Sequence, residues 1–473
     1  MLARLLPFLL LALSAAAETV EIIRDPFGTP HIFATTAAGA AFGAGYAQAE
    51  DRIDALLRNL KAANPGNLDG ISPAMRAMLE AYAAGVNRYR ANAGITAAQV
   101  ATFGRQALAQ FHGASIFLDR TRSSSGAVLA ILDTQANWNA DDRPYEMSLS
   151  IAQGDVTVAG VAPLGVPFPV TGHSRTIALA WSPAAGSLDQ AWAMLTAPNV
   201  EGVRKALGGT VPRDFLAGDA SGELLSTSMT KGYAFQGTRS EQSSAALHQL
   251  LARQNKWSVG LLSELAFSAE VYKAETWQAR LSKVDPGHPF TQMLTGWNRR
   301  ATVDSRPALA FYLFKMELGR DAAALEPPDS LENSRIISAL KRAQDRLETK
   351  IEFGATFGTL FRIARDGSRK SYPVGGGTVT EAGMEMPRVL SYLKVPTLQV
   401  ATSGQAAVRI VDLTNPSVSA VSVLMPGVTD EPGSAHFEDQ AKELFSKART
   451  KPAFFANRRE LERRSSSKKQ LIF

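Results

Sequence analysis

Gly113–Asn139 reads GASIFLDRTRSSSGAVLAILDTQANWN. A polar turn, Ser123-Ser124-Ser125 closed by Gly126, separates a first extended segment from a second, Val128–Leu132, so the stretch reads as strand, turn, strand. Upstream of it the pattern is mainly helical, and downstream it is rich in strands. Any chemistry the chain performs is expected at this junction.

On the upstream side, Val20, Ile22 and Ile23 precede the turn Asp25-Pro26-Phe27-Gly28, and extended structure resumes at His31-Ile32-Phe33. Gly43-Ala44-Gly45 is expected to lead into a helix over Tyr46–Ala62, whose residues Ile53, Leu56, Leu57 and Leu60 share one face. Ser72-Pro73 reads as an N-cap with proline in the first turn of a helix reaching Tyr89, and a third helical segment covers Ala97–Phe111. Downstream, Met147–Ile151, Val156–Val170, Thr176–Trp181, Ala407–Leu413 and Val421–Leu424 read as strands, with a mostly helical block over 240–345. Many strands around one helical insertion argue for an α+β protein with a large sheet-based core.

The opening MLARLLPFLLLALSAAA has a basic residue, Arg4, then an apolar run, Leu5–Leu13, too short to span a bilayer, and small residues Ala15-Ala16-Ala17. It reads as a cleavable leader over residues 1–17, which implies a periplasmic or secreted protein that starts at Glu18. No later segment is apolar enough to be read as a membrane span. The chain has no cysteine, which excludes disulfides, thiol catalysis and thiolate metal sites, so stability must come from core burial. Its formal charge of +6 owes much to Arg458, Arg459, Arg463, Arg464, Lys468 and Lys469. Residues 446–473 are therefore expected to form a frayed, solvated basic tail. Basic residues are not interleaved with aromatics as in a nucleic-acid groove.

Several blocks together resemble the penicillin amidase (penicillin acylase) family, which includes the acyl-homoserine-lactone acylases. They are Val20–Arg52, Ala81–Asn87, Gly160–Pro167, Gly172–Trp181, Leu294–Ser305 and Val408–Gln440, the last holding VDLTNP, MPG and HFEDQ. The resemblance implies a four-layer αββα N-terminal-nucleophile hydrolase sandwich of two stacked antiparallel sheets. It places a small-chain-like part at 18–112 and a large-chain-like part at 113–445, with the insertion at 240–345. It also implies hydrolysis of linear amides of N-acyl compounds, of the penicillin or acyl-homoserine-lactone type. In that chemistry a serine freed by self-cleavage uses its own α-amine as base, which is workable because such an amine titrates at roughly 7.7–8.0. A backbone N–H and an asparagine side chain hold the oxyanion. The stretch from Glu18 to His112 is short for the family's small chain, and what is missing carries part of the acyl-pocket wall.

Carried over residue by residue, the family's nucleophile position falls on Gly113, with Ala114 replacing the asparagine that follows it. Glycine has no hydroxyl to attack with. Gln135 stands where several members have a supporting histidine, and an amide cannot carry a proton at neutral pH. Ser115, two residues on, is the nearest hydroxyl, and an active acylase would have to be cleaved ahead of it. Ala185 matches the backbone oxyanion donor, while Asn255 is the nearest substitute for the oxyanion asparagine. Asp189 matches one acid of a calcium site found in some members, but Trp192 occupies the place of a second, and one carboxylate makes no calcium site. No metal ligand set and no cofactor motif is read: the six histidines lack paired spacing, and Gly375-Gly376-Gly377 lacks the residues that would bind phosphate. The expected ligand is an N-acyl small molecule with an apolar acyl chain. Two outcomes are carried forward: an impaired or inactive member, and an acylase using Ser115.

Overall fold

The turn at Ser123–Gly126 forms as its residues dictate. The Ser123 and Ser125 hydroxyls lie 2.8 Å apart, and Ser125 donates to Asp412. Gly126 takes φ +81°, a left-handed conformation that glycine adopts without strain. The turn joins strand Ile116–Leu118 to strand Leu129–Asn137, paired antiparallel with Ile116 opposite Ile131. These observations come from a computed structural model, which describes residues 17–237, 241–351, 354–365, 370–395, 397–414, 416–455 and 457–473. The leader reading over residues 1–17 lies, apart from residue 17, outside them.

Strand Leu129–Asn137 shows how the layers arise from period-two side-chain alternation. Leu129 and Ile131 pack with Leu247, Leu262 and Leu265 from helices on one side. Ala130 and Leu132 face the other way, onto Ala178, Ala180 and Leu216 of a second sheet. Two nine-stranded sheets are therefore stacked, and apart from two parallel pairings they are antiparallel. One contains Thr19–Arg24, Pro30–Ala34, Pro144–Ile151 and Val156–Pro163, and its outer face is covered by the helices of residues 37–108. The other is built around the long strand Leu398–Asp412 and is covered by helices of the 241–345 block. The expected helix–sheet–sheet–helix sandwich is what forms.

The first helix departs from expectation. It runs Ala37–Ala62, capped by the Thr36 hydroxyl on Gly39 N, so Gly43 and Gly45 lie inside it rather than leading into it. Glycine's low helix propensity is outweighed here by contact with helix Pro73–Tyr89. A Cβ at Gly45 would stand 2.2 Å from the Tyr82 carbonyl, and one at Gly85 would stand 2.0 Å from that of Phe42. The two helices touch backbone to backbone, which only glycine permits.

The tail expectation is wrong. Arg458–Arg464 is a helix, and Ser467–Ile472 pairs along the whole of Thr19–Arg24 as the edge strand of the first sheet. Its charges are placed rather than shed: Lys469 reaches Glu50, while Lys468 and Arg458 both reach Glu21. A run of basic residues is compatible with an edge strand because the exposed face of such a strand favours charge.

Between the sheets lies a fully buried set of charges. The two Glu146 oxygens meet Arg409 at 2.7 Å and Lys451 at 3.2 Å, and Lys451 also meets Asp25 at 2.9 Å. His173 stands 3.4 Å from Arg409, and His31 bonds Ser148 at 2.8 Å. Burial raises the Glu146 pKa, but Lys451 and Arg409 outweigh it and hold the carboxyl at about 2. Burial pushes His31 to about 4 and His173 to about 3. All three values lie below those of the free groups, so the unfolded chain takes up protons first. The stability they confer is complete above about pH 6.5 and is lost as pH falls, first through the histidines and then through Glu146 between about 4.5 and 2. Urea midpoints measured against pH should therefore decline below pH 6.5, and His173→Gln should flatten the decline below that pH. At neutral pH, Lys451→Met should cost about 3–5 kcal/mol in urea unfolding, since it leaves the buried Asp25 without its cation and Glu146 with Arg409 alone.

Candidate functional site

Gly113 begins the central strand pair, bridged to Thr134 on the neighbouring strand, with Ala114 N donating to the Asp133 carbonyl at 2.8 Å. On its other side run Gln236 and Gly237; Gln236 N donates to Ser115 O at 2.9 Å. The fit is too close for a side chain. A Cβ at 113 would stand 2.2 Å from the Asp133 carbonyl oxygen and 2.9 Å from Gln236 Oε1, and one at Gly237 would stand 2.2 Å from the Gly113 carbonyl. Backbone fills the space that a side chain at 113 would need.

His112, Gly113, Ala114 and Gln135 line a cleft of about 690 Å³. Its opposite walls come from helix Glu241–Ala252 through Ser243, and from residues 378–392. Met386, Val389, Leu390 and Tyr392 supply its apolar surface, while Gln135, Ser243, Thr378, Glu381 and Glu385 make the rest polar. Glu385 accepts from Ser243 Oγ at 2.9 Å and from Thr378 Oγ1 at 3.3 Å. Gln135 donates through Nε2 to Asp133 at 2.6 Å, and its buried Oε1 has no hydrogen-bond partner among the described residues. The other Asp133 oxygen accepts from Gln405 at 2.8 Å, and Gln405 Oε1 in turn accepts from Arg388 at 3.3 Å.

Each residue singled out in the sequence has a place in this frame. Gly113 and Gln135 come together at the cleft. Ser115 is fully buried, accepts from Asp133 N at 3.2 Å and is not among the residues lining the cleft, so its hydroxyl points into structure. Ala185 is buried, and its N–H is spent on Ser182 O at 2.8 Å within the turn Pro183–Ala185. Asn255 is exposed. The amide that does reach position 113 is Gln236, and its Nε2 is engaged with the Trp181 carbonyl. Asp189 accepts from the Ser72 hydroxyl, tying the helix that Ser72 caps to its neighbour. Sequence reasoning did not identify Gln236, Ser243, Glu385 or Tyr392. None sits in a block with a recognisable spacing, and only the folding of residues 378–392 back over the strand ends brings them together.

The stacked-sheet sandwich carries this cleft at the head of its central strand pair. A family model described as Penicillin amidase matches residues 19–68, 91–191 and 226–460, and the chain belongs to that family. Among solved structures it is similar to a thermostable penicillin G acylase from Alcaligenes faecalis, at 12% identity over 75% of this chain and 98% of that one, with a TM-score of 0.46. Comparison with curated proteins returns no match.

Because backbone occupies the side-chain space at 113, Gly113→Ser should act as an overpacking change. Urea denaturation should show a loss of about 1–3 kcal/mol, and a variant as stable as the parent would contradict the crowding described here.

Proposed function

We propose that the protein is a non-catalytic member of the penicillin amidase family, resident in the cell envelope, that keeps the cleft beside Gly113 as a binding site for an N-acyl small molecule. The observation carrying this reading is the crowding at Gly113. The position has no hydroxyl and no room for one, and the backbone donor at Ala185 and the Gln236 amide are both engaged. Without a nucleophile there is neither self-cleavage nor an acyl-enzyme. The walls suit an apolar acyl chain. Gln135 Oε1, a buried acceptor lacking a donor, suits the N–H of an amide. The envelope location rests on the leader-like segment ahead of Glu18.

Intact-mass analysis of the mature protein should give one chain beginning at Glu18, and N-octanoyl or N-phenylacetyl nitroanilides should not be hydrolysed above the buffer rate. Gly113→Ser should remain inactive. Gln135→Ala should weaken binding of an N-acyl amide by roughly tenfold, as expected when a buried hydrogen bond worth about 1.5 kcal/mol is lost. Two fragments parting ahead of Ser115, together with hydrolysis, would instead establish the Ser115 acylase.

A further inference from the structure

A second cavity, of about 480 Å³, shares no lining residue with the Gly113 cleft. Its walls include Phe267, Val303, Tyr372 and Pro373, and the exposed residues Arg300, Lys442 and Lys447 stand along it. Deeper in the wall is Arg388, only 1% exposed. Its guanidinium donates to the carbonyls of Gly375 and Phe445, each at 2.9 Å, and to Gln405 Oε1 at 3.3 Å. All three acceptors are neutral. A guanidinium carries five N–H groups, so among the described residues these bonds use only three. Burial lowers the Arg388 pKa to about 10, which leaves it cationic at neutral pH.

A buried cation is costly unless an anion or strong acceptors compensate it. The ring faces of Phe445, at 4.3 Å, and Phe267, at 5.1 Å, supply part of that compensation. The Asp133 carboxylate favours the charge from beyond Gln405 without touching it. The remainder of the pocket is also cationic. Arg300, Arg388, Lys442 and Lys447 face a single lining carboxylate, the exposed Asp304, although both lysines also reach Glu443. An apolar chamber within the size range of small-molecule sites, with a buried guanidinium in its wall and basic residues around it, complements a ligand with an apolar body and one carboxylate.

We infer that this cavity is a binding site for a small apolar monocarboxylate, its carboxylate on Arg388 and its hydrocarbon against Phe267, Val303 and Pro373. The site is distinct from the Gly113 cleft and does not depend on how that cleft functions.

Calorimetric titration of full-length mature protein carrying Gln135→Ala, which removes the amide acceptor of the Gly113 cleft, with octanoate, and separately with neutral octanamide, tests this. Octanoate should bind at one site, with octanamide at least about tenfold weaker, because a charge-assisted hydrogen bond is roughly twice as strong as a neutral one. Arg388→Met should abolish the preference for the acid. Since that variant removes a buried group and can fail to fold, Ala448→Trp at the exposed end of the lining is the second arm. It should weaken octanoate at least about tenfold in a protein with unchanged circular dichroism. Equal affinity for acid and amide, or an Ala448→Trp protein that binds octanoate like the parent, would overturn the assignment.

Discussion

Between the sheets, Glu146 receives Arg409 on one oxygen and Lys451 on the other, while Lys451 turns its remaining capacity to Asp25 and Ser422. Glu146 and Asp25 belong to the first sheet and its turn, and the two cations belong to the second. The four formal charges cancel, and because all are buried none can be satisfied by water. A sandwich held only by Ala130, Ala178, Ala180 and their apolar neighbours could slide, since such contacts have no direction. The charge set removes that freedom, because any shift of one sheet over the other strands a buried ion. A second knot works similarly at one edge, where Asp430 gathers Arg52, Arg143 and Arg365, drawing together the first helix, the approach to a central strand and the end of another. Both sets lie away from the cleft.

Much of this was legible in the sequence. The strand–turn–strand reading of Gly113–Asn139 holds because its determinants are local: serines that bond one another, a glycine at positive φ and alternating apolar residues. The Ser72-Pro73 helix start holds for the same reason, with the Ser72 side chain accepting from Met75 N at 3.2 Å. The two misreadings concern residues whose role is set by distant partners. Gly43 and Gly45 look like a loop until helix Pro73–Tyr89 is laid against them. The basic end of the chain looks like a solvated tail until Glu21 and Glu50 are placed beneath it. The absence of a hydroxyl at 113 could be read directly, but not the closure of backbone over the vacant position, because that depends on where Asp133, Gln236 and Gly237 come to lie. Arg388 gave no signal either, being a single arginine in a loop with no motif around it.

The proposed loss of turnover sets the close packing at Gly113 against two demands that an active acylase must meet together. An N-terminal nucleophile needs open space around a free amine, and the oxyanion donors must be left unpaired in the resting state so that they can act later. Both requirements work against close packing. In this protein the donor at Ala185 closes a turn, the Gln236 amide is engaged with Trp181, and backbone comes within van der Waals limits of Gly113. Each of these groups is satisfied rather than poised, whereas strained or unpaired groups at active sites are maintained at the expense of stability.

The edge strand Ser467–Ile472 gives the chain an unusual schedule. Glu18 and Phe473 exchange backbone hydrogen bonds, each 2.9 Å, so strand Thr19–Arg24 is completed by Ser467–Ile472, far removed from it in sequence. Until then Thr19–Arg24 presents one unpaired side, a template for association with other chains. Contacts spanning nearly the whole sequence are also the slowest to find. The first sheet therefore closes only once Ser467–Ile472 has reached Thr19–Arg24.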